Sequence, residues 1–261
     1  MEIFQPTKPD RTATVQQLET RPLSIDLFYP ESRSPGPLPT VVFIHGGGWK
    51  GGSRQQFYWH ARDLSNLGFL GACIEYRLSG EALFPAAVGD CLAAIDELIA
   101  QKSDLHVDNR KMAVVGSSAG AHLAASVGTD CSRGQAAVPY AVAIHGIFDL
   151  PKMHKKIGQS IYTSFIGSSY ADVPDLWRAA SPIFCVNDKS AEFLLFHDPD
   201  DENVPFSQTQ EFAEKLIECG RNVCFYPTPG SGHGFIYNRT DPHTENNWPI
   251  ITNWLSQRLQ T

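Results

Sequence analysis

Gly116-Ser117-Ser118-Ala119-Gly120 is the stretch that decides the fold. An apolar run rich in β-branched residues, 112–115, precedes it, and a run of good helix formers, 121–125, follows it. A strand, a tight turn and a helix around G-x-S-x-G form a nucleophile elbow, whose sharp turn needs glycine on both sides of the serine. We therefore expect Ser118 to present its hydroxyl at the carboxyl end of a strand. The N-terminus of the following helix favours negative charge at the same place.

The length and composition are typical of one large α/β domain. The 261 residues are 42% hydrophobic and 11% aromatic, and we see no linker, so we expect a single domain over 1–261. The net charge of −7 and the lack of a basic run give no electrostatic footprint for nucleic acid or an anionic membrane. No apolar run approaches the ~20 residues of a membrane span. The first residues show no signal peptide, which predicts a cytoplasmic location.

The cysteines do not form a metal-binding pattern. They include no C-x-x-C and no Cys/His spacing typical of zinc; the six are Cys73, Cys91, Cys131, Cys185, Cys219 and Cys224. Several lie in apolar runs, which favours free thiols, with disulfides as the alternative. We expect neither a metal nor a cofactor.

Strands alternate with helices along most of the chain. Residues 1–20 are interpreted as a polar lead-in, and 23–28 as an antiparallel edge strand that Pro30 ends. Further predicted strands are 40–44, 69–76, 112–116, 140–144, 192–197 and 222–226. Predicted helices are 54–67, a helix that begins just after Pro85 and runs through Ile99, the elbow helix to Gly128, 206–219 and 244–259. This alternation predicts a mostly parallel sheet with helices on both faces and a site outside the carboxyl ends of the strands.

The longest irregular stretch is 146–182, which carries scattered aromatic residues. A loop-rich insertion of this length is usually functional or disordered. We interpret it as a small cap over the site, with an ordinary surface excursion as the alternative.

A serine hydroxyl is a poor nucleophile at neutral pH, so it needs a base, and the base needs an orienting anion. The candidate base is His233, because the glycines on both sides of it let the backbone place the imidazole freely at a strand end. Its rivals, which more often have structural roles in such places, are His122, His145 and His197. The candidate anion is Asp201, and the alternatives in the same loop are Asp198, Asp200 and Glu202.

A glycine run, His45-Gly46-Gly47-Gly48-Trp49, follows the predicted strand 40–44. Attack by a serine on a carbonyl places negative charge on oxygen, and backbone N–H groups must already point there. We expect Gly47, Gly48 and Ala119 to donate them, since side chains on the glycines would block the approach. A flexible turn is the alternative. Trp49 is a candidate substrate-binding residue, and equally a candidate core residue.

Together these motifs resemble the α/β-hydrolase superfamily, in which serine, acid and histidine follow in this order. Within it they resemble esterases with an HGGGW motif: hormone-sensitive-lipase-like enzymes, acetylxylan/feruloyl-type esterases and kynurenine formamidases. The resemblance runs from Leu23 to the C-terminus and is carried by 45–49, 116–120, 197–205 and 232–235.

The chain departs from the hormone-sensitive-lipase-like pattern in two places. Those enzymes usually have aspartate before the nucleophile, where this chain has Ser117, and they carry a sizeable helical cap where only 1–20 precedes the first predicted strand. Residues 76–79 and 84–86 are similar to the acetylxylan/feruloyl group, and 118–125 is similar to kynurenine formamidases.

The resemblance implies a metal-independent serine hydrolase of short-acyl carboxylic esters. Ser118 is then the nucleophile, His233 the base and Asp201 the orienting anion, with a small ester as the substrate. Acetylated or feruloylated carbohydrates are one candidate class. The nearest alternative is an amide hydrolase, either an N-formylkynurenine formamidase or a small peptidase. The remotest is a non-catalytic ligand-binding protein on the same fold, which the presence of all three candidate residues disfavours.

Overall fold

The computed structural model of the chain describes residues 7–32, 36–130, 132–135, 137–154 and 160–260. Four expectations therefore fall wholly or partly outside the described residues. They concern the first residues of the lead-in, part of the turn after Pro30, the state of Cys131 and the middle of the cap segment.

Strands and helices alternate through most of the described residues. The strands are β1 Arg11–Gln17, β2 Pro22–Phe28, β3 Leu38–Ile44, β4 Leu70–Ile74, β5 Val107–Ser117, β6 Tyr140–Ile144, β7 Glu192–His197 and β8 Val223–Pro227. The α-helices are α1 Tyr58–Asn66, α2 Ala86–Ala100, α3 Lys102–Leu105, α4 Ala119–Thr129, α5 Ser160–Ile166, α6 Pro174–Ala179, α7 Ser207–Glu218 and α8 Pro242–Leu259. Short 3-10 helices lie at Arg54–Phe57, Leu150–Met153, Pro182–Cys185 and Phe235–Tyr237.

The strands form one sheet in the order β1-β2-β4-β3-β5-β6-β7-β8. β2 pairs antiparallel with β1 and β4, and all the other pairs are parallel. The predicted mostly parallel sheet is confirmed. Because parallel strands carry their carboxyl ends to the same edge, the loops after β3, β5, β7 and β8 all begin there.

Side chains of the central strands divide between two cores. Val42 and Val114 pack on one face with residues of α2, α4 and α7. Phe43 and Val115 pack on the other face with residues of α1 and α8. Successive residues of a strand point to opposite faces, so a strand covered by helices on both faces is apolar throughout. This is why the predicted central strands lack alternation.

Residues 11–17 form the edge strand of the sheet, so the lead-in interpretation is wrong there and β2 is not an edge. Only Ala13 of β1 is buried, which leaves no period-two pattern to detect. β1 is held by backbone pairing with β2 and by a hydrogen bond of 2.5 Å from Thr12 Oγ1 to Asp26 Oδ1.

The cysteines differ in state. Free thiols are present at Cys73, Cys91, Cys219 and Cys224, and burial raises the pKa of the Cys73 and Cys91 thiols. Cys185 is disulfide-bonded, so the free-thiol interpretation is wrong there. A disulfide depends on the closeness of two chain segments, which cysteine spacing does not reveal. The cytoplasmic location stays a prediction.

None of the described helices combines the length and the apolar character needed to cross a bilayer.

We expect Phe43→Ala to lower the unfolding free energy by about 3–5 kcal/mol, as measured by denaturant titration. Phe43 is fully buried in β3 and its ring stacks on Phe57 with centroids 5.3 Å apart. The control is Ile217→Ala on α7, where the side chain is 62% exposed and the change should stay within about 0.5 kcal/mol. A loss below about 1 kcal/mol for Phe43→Ala would contradict this description of the core.

Candidate active site

Ser118 occupies a strained turn between β5 and α4. Its φ is 56° and its ψ is −122°, a conformation that costs a non-glycine residue about 1–3 kcal/mol. A Cβ on Gly116 would lie 2.1 Å from Gly120 O, and a Cβ on Gly120 would lie 2.1 Å from Ile44 O. Only glycine fits these two positions, as the pentapeptide predicted. A hydrogen bond of 2.8 Å from Ser118 N to Ile144 O holds the turn against the end of β6.

The structure brings Ser118, His233 and Asp201 together at the carboxyl edge of the sheet. Ser118 Oγ lies 2.8 Å from His233 Nε2, and His233 Nδ1 lies 2.7 Å from Asp201 Oδ2. Because an ionised carboxylate only accepts, Nδ1 is the donor in the second contact. Nε2 is then free to accept the serine proton, as a general base must.

Asp201 is held as a carboxylate by four donors. Its Oδ1 accepts from the N–H groups of Asn203 and Val204 at 2.8 and 3.0 Å. Its Oδ2 lies 2.7 Å from His233 Nδ1 and 3.4 Å from His197 Nε2. Burial alone would raise the pKa of Asp201, but the hydrogen bonds from His197 and His233 hold it well below its usual range. Asp201 therefore carries a negative charge at neutral pH.

The other acids of this loop have different surroundings. Asp198 accepts from the N–H groups of Gly232 and Gly230 at 2.7 and 3.2 Å, so it holds the loop that carries His233. Burial alone would raise the pKa of Asp198, but the N–H groups of Asp200, Gly232 and Gly230 bring it below its usual value. Asp200 and Glu202 are exposed.

The histidine rivals are held inside the molecule by other partners. His197 lies 2.6 Å from Thr209 Oγ1 through Nδ1 and 2.9 Å from Val204 O through Nε2. His122 Nε2 lies 2.7 Å from Ala180 O, so it donates there, and Nδ1 accepts from the Trp49 indole. Burial lowers the pKa of His122 to about 4, which keeps the ring neutral.

His145 stacks on His233, the candidate base, but takes no part in the hydrogen bonds that join Ser118, His233 and Asp201. Its ring centroid lies 5.3 Å from that of His233 at 25°, and its Nδ1 accepts from Gly234 N at 3.3 Å. Burial, followed by the nearby His197 and His233, lowers the pKa of His145 to about 3. It is therefore a neutral support for the loop.

His145, Asp201 and His233 also offer three ligand atoms within 4.8 Å of one another. Both nitrogens of His233 are already bonded to Asp201 and Ser118. The in-plane lone pairs of two nearly parallel rings do not converge on one point. The serine-histidine-aspartate geometry therefore accounts for this cluster better than a metal centre does.

The loop after β3, residues 45–49, is called the glycine loop below. Hydrogen bonds to its carbonyl groups hold it in place. Tyr76 Oη donates to His45 O at 3.0 Å, and Ser79 donates to Trp49 O through its N and Oγ at 2.8 and 3.1 Å. Gly51 N donates to Gly47 O at 3.0 Å. By contrast, the N–H groups of Gly47, Gly48 and Ala119 make no hydrogen bond to any described residue. Their role as oxyanion donors stays a prediction.

Trp49 belongs to the wall of the site, but its indole is almost wholly covered. The residue is 1% exposed, and its ring stacks on Phe165 with centroids 4.5 Å apart. Its Nε1 donates to His122 Nδ1 at 3.2 Å. Direct contact of Trp49 with a substrate stays a prediction.

A cavity of about 580 Å³ opens onto Ser118 and His233. Aliphatic side chains on its walls are Ile147, Ile161 and Val204, and polar groups at its surface are Gln56, Glu202, Asn203 and Tyr237. Ile161, from α5, lies over the glycine loop: a Cβ on Gly48 would be 2.0 Å from Ile161 Cδ1. Segment 146–182 thus contributes to the cavity through Ile147, Ile161 and Tyr162.

Sequence reasoning missed Ile147, Ile161 and Tyr237 as residues of the site. The first two lie in the irregular stretch, where no motif distinguished them. Tyr237 follows His233 by four residues, and this closeness to the candidate base was the available signal.

Several known proteins are similar to this chain. Esterase LipQ and Esterase LipC, both of Mycobacterium tuberculosis, are each 28% identical to it, over 226 and 228 residues that make up 81% of this chain. The probable isoprenylcysteine alpha-carbonyl methylesterase ICMEL1 of Arabidopsis thaliana is 26% identical over 233 residues, or 82% of this chain. The chain spans about half the length of these curated relatives: 54%, 56% and 48%.

The fold is also that of a solved esterase. The apo form of Thermogutta terrifontis esterase 2 superposes with a TM-score of 0.82 at 21% identity, covering 98% of this chain and 97% of that one. At this identity the likeness concerns the fold, which is the α/β-hydrolase fold. The BD-FAE family model matches residues 25–216, which hold the glycine loop, the elbow and Asp201, and the chain therefore belongs to the BD-FAE family.

Proposed function

We propose that this chain is a serine esterase that hydrolyses short-acyl carboxylic esters through an acyl-enzyme. The observation that carries the proposal is the unbroken chain of contacts from Ser118 Oγ through His233 to Asp201, at 2.8 and 2.7 Å. Membership of the BD-FAE family and the names of the relatives, which are esterases, support it.

In the first half of the proposed reaction, Ser118 Oγ attacks the ester carbonyl while His233 Nε2 takes its proton. The carbonyl electron pair moves onto oxygen, where the N–H groups of Gly47, Gly48 and Ala119 stabilise the charge. The carbonyl re-forms, the bond to the alcohol oxygen breaks, and the alcohol leaves with the proton from His233. Asp201 stabilises the imidazolium that exists between these steps.

In the second half, water takes the place of the alcohol. His233 removes a proton from the water as its oxygen attacks the acyl carbon, and the same N–H groups hold the oxyanion. The bond to Ser118 Oγ then breaks, and Oγ regains its proton from His233. The products are the carboxylic acid and the free enzyme, so no cofactor is consumed.

The same groups would also cleave an amide, as in a formamidase or a small peptidase. We favour esters because the relatives LipQ, LipC and ICMEL1 are named as esterases. Turnover of p-nitrophenyl acetate compared with that of N-formylkynurenine separates the two reactions. A preference for N-formylkynurenine would replace the ester proposal with the amide one.

Ser118→Ala should lower the turnover of p-nitrophenyl acetate by about 10⁶, because among the described residues Ser118 Oγ is the oxygen that contacts His233 Nε2. The variant should also fail to react with a fluorophosphonate probe, which labels an activated serine. The matched control is Ser126→Ala, which removes a hydroxyl that donates to His122 O within α4 and should keep the activity. Labelling or ordinary turnover by Ser118→Ala would refute the proposed nucleophile.

The stabilisation contributed by Asp201 should depend on pH. Since the folded protein lowers its pKa, the unfolded chain binds more protons in acid, and the stabilisation present above about pH 5 is lost as the pH falls. Asp201→Asn resembles the protonated side chain. The difference in unfolding free energy between the natural chain and Asp201→Asn should therefore shrink between pH 5 and pH 2, measured by urea titration.

Asp200→Asn is the control for this experiment, because Asp200 is exposed and should show little difference at any pH. A difference for Asp201→Asn that stays constant from pH 5 to pH 2 would show that the carboxylate is not held ionised by the fold.

The preference for short acyl chains should depend on Ile161, because this side chain narrows the cavity beside Gly48. We expect kcat/KM for p-nitrophenyl esters to fall as the acyl chain lengthens from acetate to octanoate. Ile161→Ala should raise the octanoate-to-acetate ratio of kcat/KM by about tenfold. Ile217→Ala, on the exposed face of α7, should leave the ratio unchanged. An unchanged ratio in Ile161→Ala would exclude this residue from acyl selection.

A further inference from the structure

The hydroxyl group of Tyr237 joins the glycine loop to the nucleophile elbow. It accepts a hydrogen bond from Gly46 N at 3.0 Å and donates one to Ser117 O at 3.4 Å. Gly46 precedes the first expected oxyanion donor, and Ser117 precedes the expected nucleophile. One side-chain oxygen therefore contacts both backbones that must act together on a carbonyl group.

The position of this hydroxyl is set from outside the glycine loop. Tyr237 ends the 3-10 helix that follows His233. His60 Nε2, from α1, bonds to Ile236 O at 2.9 Å, and Thr244 Oγ1, from α8, donates to Phe235 O at 2.6 Å. The Tyr237 ring packs edge-on against Phe57, with centroids 5.4 Å apart. Two helices thus hold the tyrosine where it meets the loop.

The contact between Gly46 and the Tyr237 hydroxyl leaves no space for a side chain at position 46. A Cβ on Gly46 would lie 2.6 Å from Tyr237 Oη and 2.7 Å from Ser117 O. The bare backbone of Gly46 therefore fits between the phenol and the elbow. Burial raises the pKa of Tyr237 to about 12, so the hydroxyl keeps its proton and can donate and accept at the same time.

Other anchors of the glycine loop hold its ends through carbonyl oxygens. Tyr76 holds His45 O, and Ser79 holds Trp49 O. Within the described part of the chain, Tyr237 is the side chain that bonds both to the loop and to the elbow. It adds a side-chain link between two backbones that already adjoin through Ile44 and Gly120.

We propose that Tyr237 is a positioning residue, whose hydroxyl sets the distance between the N–H groups of Gly47 and Gly48 and the oxygen of Ser118. This role rests on the esterase function proposed above. Tyr237 acts through Gly46 and Ser117 rather than on the reacting atoms. Because the oxyanion forms only as the reaction proceeds, misplaced donors weaken binding of the transition state more than binding of the substrate.

The test is Tyr237→Phe, which removes one oxygen atom and keeps the ring against Phe57. With concentrations corrected by active-site titration, kcat for p-nitrophenyl acetate should fall by about 10- to 100-fold, while KM stays within about twofold. An alkyl trifluoromethyl ketone, which forms a tetrahedral adduct with an active serine, should bind more weakly by a similar factor. Inhibition by acetate, a ground-state ligand, should not change.

The matched control is Tyr226→Phe, the same chemical change on the exposed side of β8, which should keep the natural kcat. An unchanged kcat in Tyr237→Phe, or equal weakening of the ketone and acetate, would overturn the positioning role while leaving the esterase proposal intact. If the natural chain hydrolyses no ester and does not differ from Ser118→Ala, the esterase proposal falls, and the role of Tyr237 falls with it.

Discussion

The site depends on a contact between two backbones. Helix α4 begins so close to the end of β3 that a Cβ on Gly120 would lie 2.1 Å from Ile44 O. This contact places Ser118, at the N-terminus of α4, directly beside the glycine loop that continues from Ile44. Side chains at the contact would separate the two segments. The expected nucleophile and the expected oxyanion donors therefore belong to one unit, in which main-chain contact brings the two segments together and the Tyr237 hydroxyl links them.

The charges at the site favour the proposed transfer of a proton between Ser118 and His233. Hydrogen bonds keep Asp201 ionised, and burial keeps His145 neutral. His233 lies between this fixed anion and the hydroxyl of Ser118, which is the position that the proposed base requires. The surrounding histidines support this geometry: His145 accepts a hydrogen bond from Gly234 N in the loop after β8, and His197 Nε2 lies 3.4 Å from Oδ2 of Asp201, the oxygen that His233 also contacts.

Local patterns in the sequence predicted much of the fold. The predicted strands 140–144 and 192–197 coincide with β6 and β7, because both are short, apolar and bounded by turn residues. Glycines at 116 and 120 marked the elbow, because no other residue fits there. The edge strand β1 escaped detection because only Ala13 of it is buried. The disulfide at Cys185 escaped because the spacing of cysteines along a chain does not report their distance in space.

The sequence by itself determined most of the order of strands and helices, the position of the elbow and the residue types available for catalysis. These depend on apolar periodicity and glycine, which act within a few residues. Three features depend on the tertiary structure: which acid faces His233, which residues cover the Trp49 indole, and the contact between Tyr237 and Gly46. These contacts join residues far apart in the chain: Ser118 and His233 are 115 positions apart, and Gly46 and Tyr237 are 191 apart. Contacts over such distances depend on how the whole sheet and its helices pack, which no local pattern encodes.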